Sequence, residues 1–174
     1  LVASFFSSAT TFSLPLLTQT LSKTSINAVF QMHNKKIWLA TGNGIYSLNE
    51  RKKKLIHLGQ KEGLPNNNIY GILEDSYGQL WLSSNKGIIC FNQQSKTIYN
   101  YTVLDGLQSN QFSQYAACYS SEGVMYFGGI NGINSFKPEL MMDNPYAPRP
   151  RLSSLTVFNQ LIRPGDESEI LTED

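Results

Sequence analysis

Three copies of one short segment, spaced almost evenly, constrain the fold of this chain more than any other feature. The first runs from Ile37 to Leu48 around Trp38, the second from Leu80 to Phe91 around Trp81, the third from Met125 to Phe136 around Tyr126. Trp38 and Trp81 stand 43 residues apart, Trp81 and Tyr126 45. Repeats of that length, built from several short strands, are the signature of propeller blades. Each copy reads as apolar strand, tight turn, apolar strand. A glycine (Gly44, Gly87, Gly132) stands where the turn needs a positive φ. The flanking runs are apolar at nearly every position, which predicts strands buried on both faces between neighbouring sheets. Trp38, Trp81 and Tyr126 are then expected as wedges between blades. Sugar stacking is the rival reading, and regular repetition favours the core.

The spacing divides the chain. Residues 1–24 align without gaps onto the first repeat when shifted by 43, Val2 falling on Ile45, Phe5 on Leu48 and Leu21 on Leu64. They read as the end of a preceding blade rather than a signal peptide, since no basic leading segment precedes the apolar run. Blades are expected at 25–62, 63–105 and 106–140, each of about four strands. The turn-rich loop Gly63-Leu64-Pro65-Asn66-Asn67-Asn68 returns as Gly106-Leu107-Gln108-Ser109-Asn110-Gln111. Arg51-Lys52-Lys53-Lys54 reads as a solvated, edge-guarding turn. Prolines at 145, 148 and 150 mark residues 141–151 as a linker, and 152–174 opens a further half-buried sheet. The fold class is all-β: a partial β-propeller of about three four-stranded blades, followed by the beginning of a β-sandwich domain. Three blades leave unpaired faces, so this span is expected to need further blades or copies to cover them.

Composition excludes several functions. A net charge of +1 implies neither nucleic acid nor an anionic membrane surface. Two cysteines, Cys90 and Cys118, make no disulfide framework, and whether they pair is left open. No apolar run is long enough to span a bilayer. His33 and His57, the only histidines, lie on separate turns without a ligand partner at helical spacing, so no metal ligands are assigned. No nucleophile elbow is present. Glu74 and Asp75 are neighbours on a strand and point to opposite faces, a poor acid–base pair. No catalytic residues and no cofactor are expected.

Binding is the stronger case. In a four-stranded blade, the loop into the first strand and the turn between the second and third emerge on one face. Those loops are rich in carboxamides: Asn43, Asn66, Asn67, Asn68, Asn85, Asn110, Gln111 and Asn131. Carboxamides both donate and accept, which suits neutral sugar hydroxyls. The competing reading is that asparagine is simply a good turn residue.

The run Trp38-Leu39-Ala40-Thr41 with Gly44-Ile45, the Glu74-Asp75 pair with Gly78 and Leu80-Trp81, and the Asp105-Gly106-Leu107 loop with Ser109-Asn110 resemble two-component-regulator propeller repeats. Phe127-Gly128-Gly129-Ile130-Asn131-Gly132 with Phe136 and Pro138 resembles the last blade of such a propeller. Leu152 to Phe158 with Arg163-Pro164-Gly165 resembles the start of the Y_Y_Y sandwich domain. The first blade departs from the pattern, with Met32-His33-Asn34-Lys35-Lys36 where the family has an Asp and a Gly. The resemblance implies the sensor region of a hybrid two-component histidine kinase, periplasmic, detecting an oligosaccharide. It also implies a possible homodimer, contact with the rest of its own propeller and sandwich, and a membrane reached only through segments beyond this sequence. A propeller-type lyase or hydrolase and a protein-interaction scaffold are the alternatives.

Overall fold

The computed structural model describes residues 21–49, 54–141, 155–157 and 160–162. The expected preceding-blade strand, the basic turn at 51–53 and all but Met141 of the expected linker lie outside the described residues. The chain divides into two compact units, Leu1–Met141 and Met142–Asp174.

The first unit is a series of antiparallel sheets in chain order. Strands β1 (Ile26–Gln31), β2 (Ile37–Thr41), β3 (Gly44–Asn49) and β4 (Lys54–Leu58) make one meander. β5 (Ile69–Glu74), β6 (Leu80–Ser84), β7 (Gly87–Phe91) and β8 (Ile98–Tyr101) make the next. The third sheet holds β9 (Phe112–Tyr119), β10 (Met125–Gly129) and β11 (Gly132–Phe136). It is therefore three-stranded among the described residues, where the repeat predicts four. After Phe136 the chain enters a 3-10 turn at Pro138–Leu140. Proline has no N–H to give to a ladder, so the backbone leaves the sheet there. In the second unit, β12 (Leu155–Val157) and β13 (Gln160–Ile162) pair antiparallel, with Leu155 opposite Ile162 and Val157 opposite Gln160. Asn159-Gln160 reads as a turn in the sequence, but Gln160 is the first residue of β13.

Burial follows position in the series. Every residue of β6 and β7 is buried, as expected for strands sandwiched between two neighbouring sheets. β11 is largely exposed, because its outer face has no sheet beyond it among the described residues. The seams use the repeated aromatics. Trp38, 3% exposed, meets Phe91 of the next sheet edge-on at 6.3 Å. Trp81, 2% exposed, meets Phe136 at 5.0 Å and stacks on Tyr101 at 5.6 Å. Tyr126 is only half-buried. Cys90 is buried, Cys118 exposed, and no disulfide joins them.

The hairpins repeat atom for atom. The Thr41 hydroxyl donates to the Gly44 carbonyl at 2.8 Å and accepts the Asn43 N–H at 3.0 Å; Ser84 does the same for Gly87 and Lys86 at 2.9 and 3.0 Å. Gly87 has φ +109°, and a Cβ there would press on the Tyr101 carbonyl oxygen, so glycine is required on both counts.

The turn of the first blade, different in sequence, keeps the geometry of its counterpart in the second. The N–H of Met32 bonds Lys36 O at 2.9 Å and the N–H of Lys35 bonds Met32 O at 2.9 Å, matching Asp75–Gln79 and Gly78–Asp75 at 3.0 and 3.1 Å. Lys35 therefore takes the left-handed position of Gly78, with φ +68° against +77°. A side chain there is strained. Lys35→Gly is expected to raise stability by about 0.5–1 kcal/mol, after counting the freedom glycine adds to the unfolded chain. A urea midpoint that falls instead would refute the strain.

Candidate functional site

The first strand of each sheet of the first unit carries a β-bulge at the same end, beside the hairpin between the second and third strands. Register slips between Ile26 and Ala28 on β1 and between Ile69 and Gly71 on β5. On β9 the slip is larger: Phe112 pairs with Gly129 and Ala117 with Phe127. The bulge of β9 is two residues longer than that of β5, which accounts for the 45-residue spacing of the last two repeats. A bulge re-aims side chains that regular pleating would point elsewhere. Here the re-aimed residues are Asn27, Tyr70 and the segment Ser113-Gln114-Tyr115.

These strands approach one another, so their bulges meet. The Asn27 carboxamide donates to the Ile69 carbonyl at 2.7 Å and to Asn68 Oδ1 at 3.5 Å. Its oxygen accepts from Gln114 Nε2 at 3.4 Å, 87 positions away in the chain. Asn68 Nδ2 donates to the Tyr70 hydroxyl at 2.9 Å. One buried carboxamide thereby ties three blades together, and Asn68, Tyr70 and Gln114 are held around it. Next to Gln114, Tyr115 is 84% exposed and has φ +60°. A bulky residue in the left-handed region costs about 1–2 kcal/mol and is found where the surrounding structure imposes it. The result is a rim of carboxamides and phenols drawn from three sheets, with an exposed tyrosine beside Gln114 in the chain.

The carboxamide loops do gather at this end. The Asn67 carbonyl accepts the Gly44 N–H at 2.5 Å, the Asn110 carbonyl accepts the Gly87 N–H at 2.8 Å, and the Gln111 carbonyl accepts the Ile130 N–H at 3.3 Å. The first two hairpins are thereby stitched to the loop entering the next blade, and the third to the loop entering its own. Asn66 bonds Asn85 side chain to side chain. Much of this chemistry is internal. Asn67 Oδ1 accepts the Gln60 N–H at 2.7 Å and Asn110 Oδ1 accepts the Val103 N–H at 2.9 Å, closing equivalent 3-10 turns. Asn43 Nδ2 donates to the Tyr46 hydroxyl at 3.2 Å, its carbonyl meets His57 Nε2 at 2.7 Å, and Asn131 N–H donates to Gln108 Oε1 at 2.8 Å. The Gln111 N–H donates to Ser109 Oγ at 3.1 Å. Of the sequence-predicted residues, Asn68 alone bonds into the three-blade cluster. Asn27, Tyr70, Gln114 and Tyr115 carry no loop signature in the sequence; the extra two residues between repeats were their one trace.

The charged groups are used structurally. Glu74 Oε2 accepts from the His33 N–H and faces His33 Nδ1, both at 2.9 Å, joining the first two blades. Asp75, 2% exposed, accepts from the Tyr77 and Gln79 N–H groups, Gln79 Nε2 and the Trp81 indole at 2.8–3.0 Å. Among the described residues, no three His, Cys, Asp or Glu side chains gather as metal ligands would, and no helix is long and apolar enough to cross a membrane.

Residues 63–86, the second blade's entry loop through its central hairpin, match the two-component regulator propeller family. The matched segment is a two-component-regulator propeller repeat. The chain is 30% identical to the extracellular domain of a hybrid two-component system from B. thetaiotaomicron, with a TM-score of 0.67 over 82% of this chain and 21% of that one. Histidine kinase P4 of Formosa agariphila is 32% identical over 115 residues, 66% of this chain and 8% of that protein. The extracellular domain of a one-component system from B. thetaiotaomicron, 18% identical with a TM-score of 0.52 over 66% of this chain and 16% of its own, shares the fold. The chain is thus homologous to extracellular sensor domains of two-component systems. It spans a small part of the relatives it matches, from 8% to 21% for the first two.

Proposed function

We propose that this regulator-propeller segment belongs to the periplasmic ligand-sensing region of a hybrid histidine kinase and contacts an oligosaccharide at the three-blade rim. The observation that carries the reading is the joining of Asn68 and Gln114 to Asn27, with Tyr70 bonded to Asn68 and the exposed Tyr115 next in the chain to Gln114. Carboxamides and phenols offer donors and acceptors to uncharged hydroxyls. An exposed aromatic ring gives the apolar face of a sugar something to lie on. Because the rim is assembled from three blades, a ligand bridging them would bias how the blades sit together, and such a bias is the means by which a binding event shifts a population. Passage of that shift along residues 141–151 toward a membrane, and dimerisation of the sensor, are parts of the same proposal.

Tyr115→Gly separates binding from folding. It removes the ring and relieves the left-handed strain, so stability is expected to rise by about 1 kcal/mol while affinity for a bound neutral oligosaccharide falls at least about tenfold. Calorimetric titration of a neutral-oligosaccharide panel, beside urea denaturation, reads both. Unchanged affinity in Tyr115→Gly and Gln114→Ala would refute the rim, and turnover of a panel member would favour the lyase or hydrolase reading.

A further inference from the structure

The first and second inter-blade seams are built to one plan and finished differently. In the seam between the second and third sheets, Tyr101 stacks on Trp81, and Tyr101, Phe136 and Met141 all pack onto its core cluster. The equivalent positions one seam earlier, by repeat spacing, are Leu58, Phe91 and Lys96. Leucine is shorter than tyrosine, and lysine replaces methionine with a charge. A cleft of about 340 Å³ stands open there, floored by Trp38, Leu58, Phe91 and Ile98 and edged by Lys36 and Lys96. That volume lies at the lower end of those of small-molecule sites.

Its charges are unbalanced. Lys36 Nζ sits 4.4 Å from the Trp38 ring centroid and donates to Gln93 Oε1 at 3.1 Å; Lys96 Nζ sits 5.9 Å from the Phe91 ring centroid. An ammonium has three donors, so Lys36 has two to spare. Two more titratable groups line the cleft, Glu62 and His57. Glu62 Oε2 is committed to its own 3-10 turn, accepting the Gly59 N–H at 2.8 Å, and stands 3.5 Å from His57 Nδ1. Among the described residues, neither lysine has a carboxylate within ion-pair distance. Burial, and then the charge of Lys96, push the Lys36 ammonium below its usual range. An anion beside both lysines would relieve that penalty.

We propose that this cleft is a second ligand site, distinct from the three-blade rim, and that it takes a compact ring bearing one carboxylate. The ring body covers the apolar floor and the carboxylate lies between Lys36 and Lys96. The second seam is the internal comparison: there Tyr101 and Met141 pack onto the core, whereas Leu58 and Lys96 stand at the matching positions here, over an apolar floor edged by two lysines.

The test titrates glucuronate, with glucose as the uncharged counterpart, while following the two tryptophan indole N–H resonances of the chain, assigned with Trp38→Phe. Saturable movement of the Trp38 signal with glucuronate and not glucose is expected, with Trp81 still. Lys36→Gln and Lys96→Met should each weaken binding about tenfold, the scale of a lost charge-assisted hydrogen bond. Added salt should weaken it further. Leu58→Tyr, copying Tyr101, should abolish it, and if that variant folds poorly the two lysine variants decide. Tyr115→Gly should leave it unchanged, which keeps this site's test separate from that of the rim. No saturable shift, an equal response to glucose, or full binding by the Lys36→Gln/Lys96→Met double variant would each overturn the proposal.

Discussion

Replacing Trp81 with alanine is expected to destabilise the chain by about 4 kcal/mol, the range for removing a large buried aromatic. The loss has three sources. Trp81 is 2% exposed, so nearly all of its indole surface is withdrawn from water. Its ring stacks on Tyr101 and leans on Phe136, so the deletion opens the seam on the side of its own blade and of the next. Its N–H donates to Asp75 Oδ2 at 2.9 Å, so a buried carboxylate oxygen also loses a donor. Domains are commonly stable by only about 5–15 kcal/mol, which makes this a large share. Trp38→Ala is expected to cost less. Its indole donates to the Met32 sulfur at 3.2 Å, a weaker acceptor, and its seam already contains a cleft. Urea denaturation followed by far-ultraviolet circular dichroism gives both values. A Trp81→Ala loss below about 2 kcal/mol, or one smaller than that of Trp38→Ala, would contradict the wedge role.

Asp75→Ala is expected to cost about 3 kcal/mol without touching any apolar contact. Four donors converge on this carboxylate: two backbone N–H groups, the Gln79 carboxamide and the Trp81 indole. Hydrogen bonds to an ionised group contribute about 1.5–3 kcal/mol each, and a donor left buried without a partner costs about 1–3 kcal/mol; the four act as one network and do not add. Asp75→Asn keeps the shape but turns an NH2 toward groups that are themselves donors, so it is expected to be intermediate. The same denaturation measurement ranks them. If Asp75→Asn matched the wild type, the carboxylate charge would contribute nothing, and the side chain would be only a turn-former.

How much of the binding rim was legible beforehand is best seen residue by residue. Carboxamides in the entry loops and hairpins were visible, and so was the end of the sheets at which they gather. Whether a given carboxamide faces a ligand or its own backbone was not. Asn67 and Asn110 look alike in the sequence and act alike in the fold, each accepting an N–H seven positions earlier. Asn68 differs because its neighbour Tyr70 sits on a bulge and its oxygen faces Asn27, 41 positions away. Turn chemistry is local and can be read from neighbours in the chain. A bond between Gln114 and Asn27 exists only because three blades curve until their first strands meet.

The sequence by itself determined the repeat, and with it the all-β fold, the hairpins with their required glycines, and the paired tryptophans of the seams. These follow from backbone sterics and from apolar patterning, both of which act over a few residues. Tertiary structure decided how Lys35 holds a turn built for glycine, which residues the bulges aim at the rim, and that a cleft stands open at the first seam. Each of those depends on the register of a partner strand or on the volume left by a neighbouring sheet. Register and volume are properties of the assembled blades, set by side chains roughly forty or more positions apart.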